Sequence, residues 1–300
     1  MLRSTLTAVA MALALIGGSA QAQTVSDVLG AAPTEAWRDL DLGNTLVMTL
    51  ANNETVVIEL AAAFAPRTVE NIRTLAQGRF WDGLSINRVQ DNYVVQWGDP
   101  NAENAAEARS LGRAQTQVSP QEYWRARRDL PFTRLRDGDV YAREVGFSGG
   151  FPAARNGREA WLAHCYGMVG VGRDTAPDSG SGAELYVVIG HAPRHLDRNI
   201  TLVGRVVAGL PALTALPRGG AALGFYERAE ERTGIRSVRL ASEISGGSVA
   251  GQYQVLRDDT ATFQAYVEAR RNRREPWFFQ PAGRIDVCNA MPPVRVRPAG

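Results

Sequence analysis

Apolar and polar residues alternate from Asn44 to Leu50 (NTLVMTL), the period of a strand that buries one face. Ala51, Asn52 and Asn53 supply a turn signal, and Glu54 to Leu60 (ETVVIEL) continues the alternation, so the pair predicts a hairpin. Pro66 then opens a run with Val69, Ile72 and Leu75 at helical spacing, closed near Gly78. From Phe80 to Asp99 the chain is aromatic and extended, with turns at Gly83 and at Asp91-Asn92. Further strands are predicted at Gly167–Gly172 (GMVGVG), Ala183–Ile189 (AELYVVI) and Asn199–Val207 (NITLVGRVV), then a short helix over Leu210–Leu216 and a last strand over Gly234–Ala241. Many short strands with two helices favour an antiparallel barrel or sandwich over a parallel α/β sheet.

Two stretches follow other patterns. Residues 100–160 are rich in Ala, Arg and Glu and show little strand character. With a short helix expected over Pro120–Arg128, they read as an elaborate loop region over a barrel, not a separate core. Residues 242–300 form a C-terminal appendage. There Asp258, Asp259 and Thr260 can cap a helix running to about Arg271, with Phe263, Tyr266 and Val267 on one face and arginines at the end that the helix dipole favours.

The N-terminus carries an address. A basic start at Arg3, an apolar run from Ala8 to Ile16 and the end Ala20-Gln21-Ala22 match a secretory signal peptide over residues 1–22, cleaved after Ala22. The run is shorter than the ~20 residues a bilayer span needs. A periplasmic or secreted protein is expected, with no transmembrane segment in the mature chain. In an oxidising compartment Cys165 and Cys288 could form a disulfide or remain two buried thiols, and the sequence leaves both open.

Composition narrows the chemistry. All 33 basic residues are arginine. Without lysine, P-loop and Schiff-base mechanisms are excluded, since both need an ε-amine. Three histidines and two cysteines supply little for a transition-metal site, and a net charge of +2 gives no reason to expect nucleic acid.

The stretch Phe80–Asp99, FWDGLSINRVQDNYVVQWGD, is similar to F-x-G-x-x-F-H-R-V-I-x-x-F-M-x-Q-G-G-D of the cyclophilin family of peptidyl-prolyl isomerases, with Gly83, Arg88, Val89, Gln96, Gly98 and Asp99 in place without a gap. PRTVENIRTLAQGRFWDG is like the family helix that contains P-x-T-V-x-N-F. GMVGVG and GSGAELYVVIG are similar to its G-x-L-S-M-A and G-S-Q-F-F-I. The resemblance spans roughly residues 43–241. It implies a mainly β fold: a closed, antiparallel, eight-stranded barrel capped by two helices.

The resemblance also implies prolyl isomerase activity on proline-containing polypeptides, assisting the folding of exported proteins. A monomer without metal or other cofactor is expected. It places catalysis on Arg88 and Gln96, and substrate binding on Tyr93, Val94, Glu184, Tyr186, Leu196 and Asn87. Asn87 and Ile200 replace family histidines, Glu184 a glutamine and Tyr186 a phenylalanine; His195 takes a position where the family varies, and Gly172-Arg173 an Ala-Asn pair. A second reading is a non-catalytic proline- or peptide-binding scaffold on the same barrel.

Overall fold

A computed structural model describes residues 23–119, 122–123, 125–126, 130–177 and 180–298. The expected signal peptide over residues 1–22 lies outside the described residues. Eight strands form one antiparallel sheet: β1 (Thr45–Leu50), β2 (Thr55–Leu60), β3 (Ser85–Val89), β4 (Val94–Gly98), β5 (Met168–Val171), β6 (Leu185–Val188), β7 (Leu202–Ala208) and β8 (Ile235–Leu240). Their order is β8-β1-β2-β7-β5-β6-β4-β3.

The sheet curls until β8 and β3 meet, but no continuous ladder joins them. One isolated bridge, Ser85 to Gly234, lies beside hydrogen bonds from Gly83 N–H to Ile235 O (2.9 Å) and from Ile235 N–H to Leu84 O (2.7 Å). The expected closed barrel is therefore nearly closed. Both edge strands carry a register shift, at Ile86/Arg88 and at Ile235/Ser237, and such bulges bend and twist strands away from regular pairing.

Inside the barrel lie Leu46, Met48, Ile58, Val95, Trp97 and Val187. After a first short helix, α1 (Val25–Gly30), helix α2 (Pro66–Gln77) adds Val69, Ile72 and Leu75, and α3 (Leu210–Thr214) adds Leu213. The hairpin β1–β2 alternates as a half-buried strand should, yet its outward Val47 and Val57 are also buried. They pack against Leu40, Ala250 and Val255, so segments before and after the barrel cover that face.

Residues 100–160 depart from the expected loop. Arg125–Ala126, Thr133–Leu135, Glu144–Ser148, Phe151–Asn156 and Glu159–Leu162 make a five-stranded sheet. Within the stretch expected as a helix, Arg125–Ala126 is a strand, and residues 120, 121, 124 and 127–128 lie outside the described residues. The inserted sheet has a core of its own, in which Phe147, Ala153, Ala154 and Trp161 pack with Phe263 and Val267 of α4 (Ala261–Arg271). Thr260 caps α4, its hydroxyl accepting from Phe263 N–H.

The composition that resembles a loop or helix has a place in this sheet. Ala153 and Ala154 pack flat against neighbouring strands, and Glu144 lies directly opposite Arg155, joined to it at 2.6 Å. Strand preference is set by such cross-strand packing more than by residue type. The appendage also adds Tyr253–Leu256 and Val294–Val296 to a three-stranded sheet with Trp37–Asp39. Cys165 and Cys288 are joined as a disulfide, tying the end of the insertion to the tail. Among the described residues no helix is long and apolar enough to cross a membrane.

Candidate active site

Register builds the site. Arg88 on β3 pairs with Gln96 on β4, Gln96 with Tyr186 on β6, and Tyr186 with Gly170 on β5. Directly paired residues on adjacent strands point the same way. Four strands thus present Arg88, Gln96, Tyr186 and Gly170 in one row. The β3–β4 turn is tight: Gln90 N–H donates to Val94 O, and Asn92 takes the left-handed conformation (φ 51°) that asparagine tolerates.

The Arg88 guanidinium is held by neutral acceptors. Nη1 donates to Gln96 Oε1 at 3.0 Å, Nε to Leu223 O at 2.7 Å and Nη2 to Gln90 Oε1. The rings of Tyr93 and Phe225 lie 5.6 and 5.3 Å from its Cζ. Burial lowers its pKa, partly offset by Tyr93 and Glu184, but an arginine stays charged near neutrality. Gln96 Nε2 donates in turn to Glu184 Oε1 at 2.6 Å, so Glu184 orients the amide that orients Arg88. Burial raises the Glu184 pKa, opposed by that hydrogen bond and by Arg88.

Arg88, Gln96, Asn87 and Glu184 line a cleft of about 700 Å³, with Arg173 and Phe225 on its walls. Asn87 faces it beside the bulge, donating to Gly98 O (3.0 Å). The other expected residues lie next to the cleft rather than in it. Val94, Tyr186 and Val188 form a buried apolar cluster, with Tyr93 and Ile200 packed against it. Leu196, half-buried on the turn Arg194–Leu196, is not part of that cluster; Ile200 is. Sequence reasoning missed the contacts from Gln90, Leu223 and Phe225. Gln90 lies inside the motif, where the family pattern has isoleucine, but Leu223 and Phe225 carry no local signal because they arrive from a distant loop.

Among the described residues no group of three or more His, Cys, Asp or Glu side chains is placed to hold a metal ion. The arrangement suits chemistry that breaks no covalent bond: a fixed cationic donor beside an apolar surface.

The family profile described as cyclophilin type peptidyl-prolyl cis-trans isomerase/CLD matches residues 45–239. The chain belongs to that family. This cyclophilin shares its fold with AquaCyp293, a cyclophilin from Hirschia baltica: the TM-score is 0.65, the identity 24%, and the match covers 88% of this chain and 95% of that one. A Brucella suis protein described as a peptidyl-prolyl cis-trans isomerase is 25% identical over 203 residues, covering 68% of this chain and 85% of its own. A Staphylococcus aureus (strain COL) protein with the same description is 32% identical over 65 residues, covering 22% of this chain and 33% of its own. The chain thus spans about a third of the length of the Staphylococcus aureus relatives.

Proposed function

We propose that this cyclophilin catalyses cis–trans isomerisation of Xaa-Pro bonds in exported polypeptides, acting as a monomer in the periplasm or outside the cell after cleavage behind Ala22. The observation that carries the reading is the Arg88–Gln96 pair at 3.0 Å beside the Val94–Tyr186–Val188 apolar cluster. A guanidinium has five N–H groups, and three acceptors hold it in place, so donors remain for a substrate.

An Xaa-Pro bond turns slowly because amide conjugation imposes a barrier of about 18–20 kcal/mol. As the amide twists, the prolyl nitrogen becomes pyramidal and gains lone-pair character. Arg88 donates to that nitrogen, an interaction that strengthens toward the transition state and so lowers the barrier. Lowering it by about 5–7 kcal/mol accelerates the turn about 10⁴–10⁵-fold. Gln96 holds the substrate carbonyl and keeps Arg88 in register. Asn87 and Glu184 shape the peptide path, and Tyr93, Val94, Tyr186 and Leu196 receive the proline and its neighbours. No metal or cofactor takes part.

The second reading is a non-catalytic proline-binding barrel. It is favoured by the near-complete burial of Val94, Tyr186 and Val188, which leaves little of their apolar surface open to a proline ring. A protease-coupled assay on an Ala-Pro peptide, comparing wild type with Arg88→Ala, separates the two. Equal, near-background rates for both proteins would leave only the binding module. Intact mass of the exported chain checks the cleavage site.

A further inference from the structure

Beneath the apolar cluster runs a chain of buried polar groups that the isomerase chemistry does not use. The Tyr186 hydroxyl lies 2.9 Å from His164 Nε2, and His164 Nδ1 lies 2.9 Å from Asp197 Oδ1. The same Asp197 oxygen accepts His164 N–H at 3.0 Å. Its second oxygen accepts Arg194 Nε at 2.7 Å and Trp161 Nε1 at 3.3 Å. Arg194 then grips Asp139 with both terminal nitrogens, at 3.0 and 2.9 Å. His164 is 0% exposed.

Chemistry assigns the protons. Burial alone would raise the Asp197 pKa, but His164 and Arg194 outweigh it and keep the carboxyl ionised. Burial also lowers the His164 pKa, so its ring is neutral. A neutral imidazole beside a carboxylate places its proton on Nδ1, facing the negative oxygen, and leaves Nε2 as an acceptor. The Tyr186 O–H therefore donates inward to His164, and the phenol ring is held at both ends: by its backbone in β6 and by its hydroxyl.

The space for this hold comes from Gly170. A Cβ there would lie 2.4 Å from both Cζ and the hydroxyl oxygen of Tyr186, closer than any side chain tolerates. Gly170 stands where the family pattern quoted above has serine, and Tyr186 where it has phenylalanine. The two departures complement each other: one side chain shrinks and its cross-strand neighbour gains an oxygen. Asp139 and Trp161 belong to the inserted region and His164 follows directly after its last strand.

The geometry points to His164 and Asp197 as positioning residues for the proline-binding face: they pin Tyr186 by its hydroxyl, so the inserted sheet sets the shape and rigidity of the seat into which a substrate proline packs. The inference rests on the isomerase reading. It assigns the effect to binding that substrate and transition state share, not to the donor step at Arg88.

The test compares wild type, His164→Leu, Tyr186→Phe and the double variant on an Ala-Pro peptide, by kcat and KM and by NMR titration of the same peptide. Releasing the ring is expected to raise KM and the peptide Kd about five- to tenfold while kcat changes less than about twofold, the pattern of lost uniform binding. The double variant is expected to be no worse than the worse single one, because both act through one hydrogen bond. A role confined to stability would lower the unfolding midpoint and leave KM and Kd of the folded protein where they were. That result in Tyr186→Phe, which removes one oxygen and folds even if His164→Leu does not, overturns the inference. Wild type that isomerises, with variants of unchanged KM, sinks the inference alone. Wild type that neither isomerises nor binds the peptide sinks it together with the isomerase reading.

Discussion

Arg194 is 4% exposed and gives all three of its nitrogens to two aspartates, whereas Arg88 gives its three to two glutamine side chains and a backbone carbonyl. Both guanidiniums are ordered, but their charges are balanced differently. Arg194 has its counter-charge built in, and its pKa is raised because Asp139 and Asp197 outweigh burial. Arg88 makes no ion pair among the described residues, and burial lowers its pKa. An arginine neutralised on the spot is a structural clamp, and one held by neutral dipoles keeps its field for something that arrives. The cluster at Arg194 joins the inserted region to the barrel, and the Arg88 region forms the wall of a cleft.

The largest effect expected lies on the clamped side. Replacing Cys165 and Cys288 by serine opens a loop with a sequence separation of 123 residues and is expected to cost about 4–5 kcal/mol in the chain-entropy account, read by urea unfolding. Arg194→Met leaves Asp139 and Asp197 buried without their cation, and a loss of about 3–5 kcal/mol is expected in the same measurement. Arg88→Met should do the reverse. Stability changes by about 1 kcal/mol, while kcat/KM falls at least about 100-fold. If Arg88→Met destabilised the fold as much as Arg194→Met, the contrast between the two arginines would collapse.

Two smaller effects concern pH and have opposite signs. Asp197 is held below its usual 3.8 and His164 below its usual 6.5, so the native state binds fewer protons than the unfolded one. Their contribution is complete above about pH 6.5 and is lost as the pH falls, first through His164 and then through Asp197. Glu184 is raised above its usual 4.5, so its cost appears as the pH rises past that value. Glu184→Gln should then stabilise the protein near neutrality and change nothing below about pH 4, seen as a difference in thermal midpoint across a pH series. A gain of equal size at low pH would mean that the Gln96 contact, not the buried charge, sets the effect.

The sequence was most legible where signals are local. The hairpin β1–β2 shows in alternation, α2 in its opening proline and apolar spacing, and the Arg88–Gln96 pair in a motif whose residues lie on two strands joined by one short turn. It was least legible in the inserted sheet, whose Ala, Arg and Glu carry weak strand preference alone. Those residues become strand because Phe147, Trp161 and Phe263 make a core that brings together residues 116 apart in the chain. The missed neighbours of Arg88 arrive in the same way, as Leu223 comes from 135 residues away.

By itself the sequence determined the strand and helix order of the barrel, because period acts over a few residues, and its resemblance to the cyclophilin motif singled out Arg88 and Gln96. Only the tertiary structure decided that the barrel stops just short of closure, that the insertion is a second packed sheet, and that Tyr186 is held by His164. Each of these depends on what fills the second face of a strand, and that partner lies far along the chain.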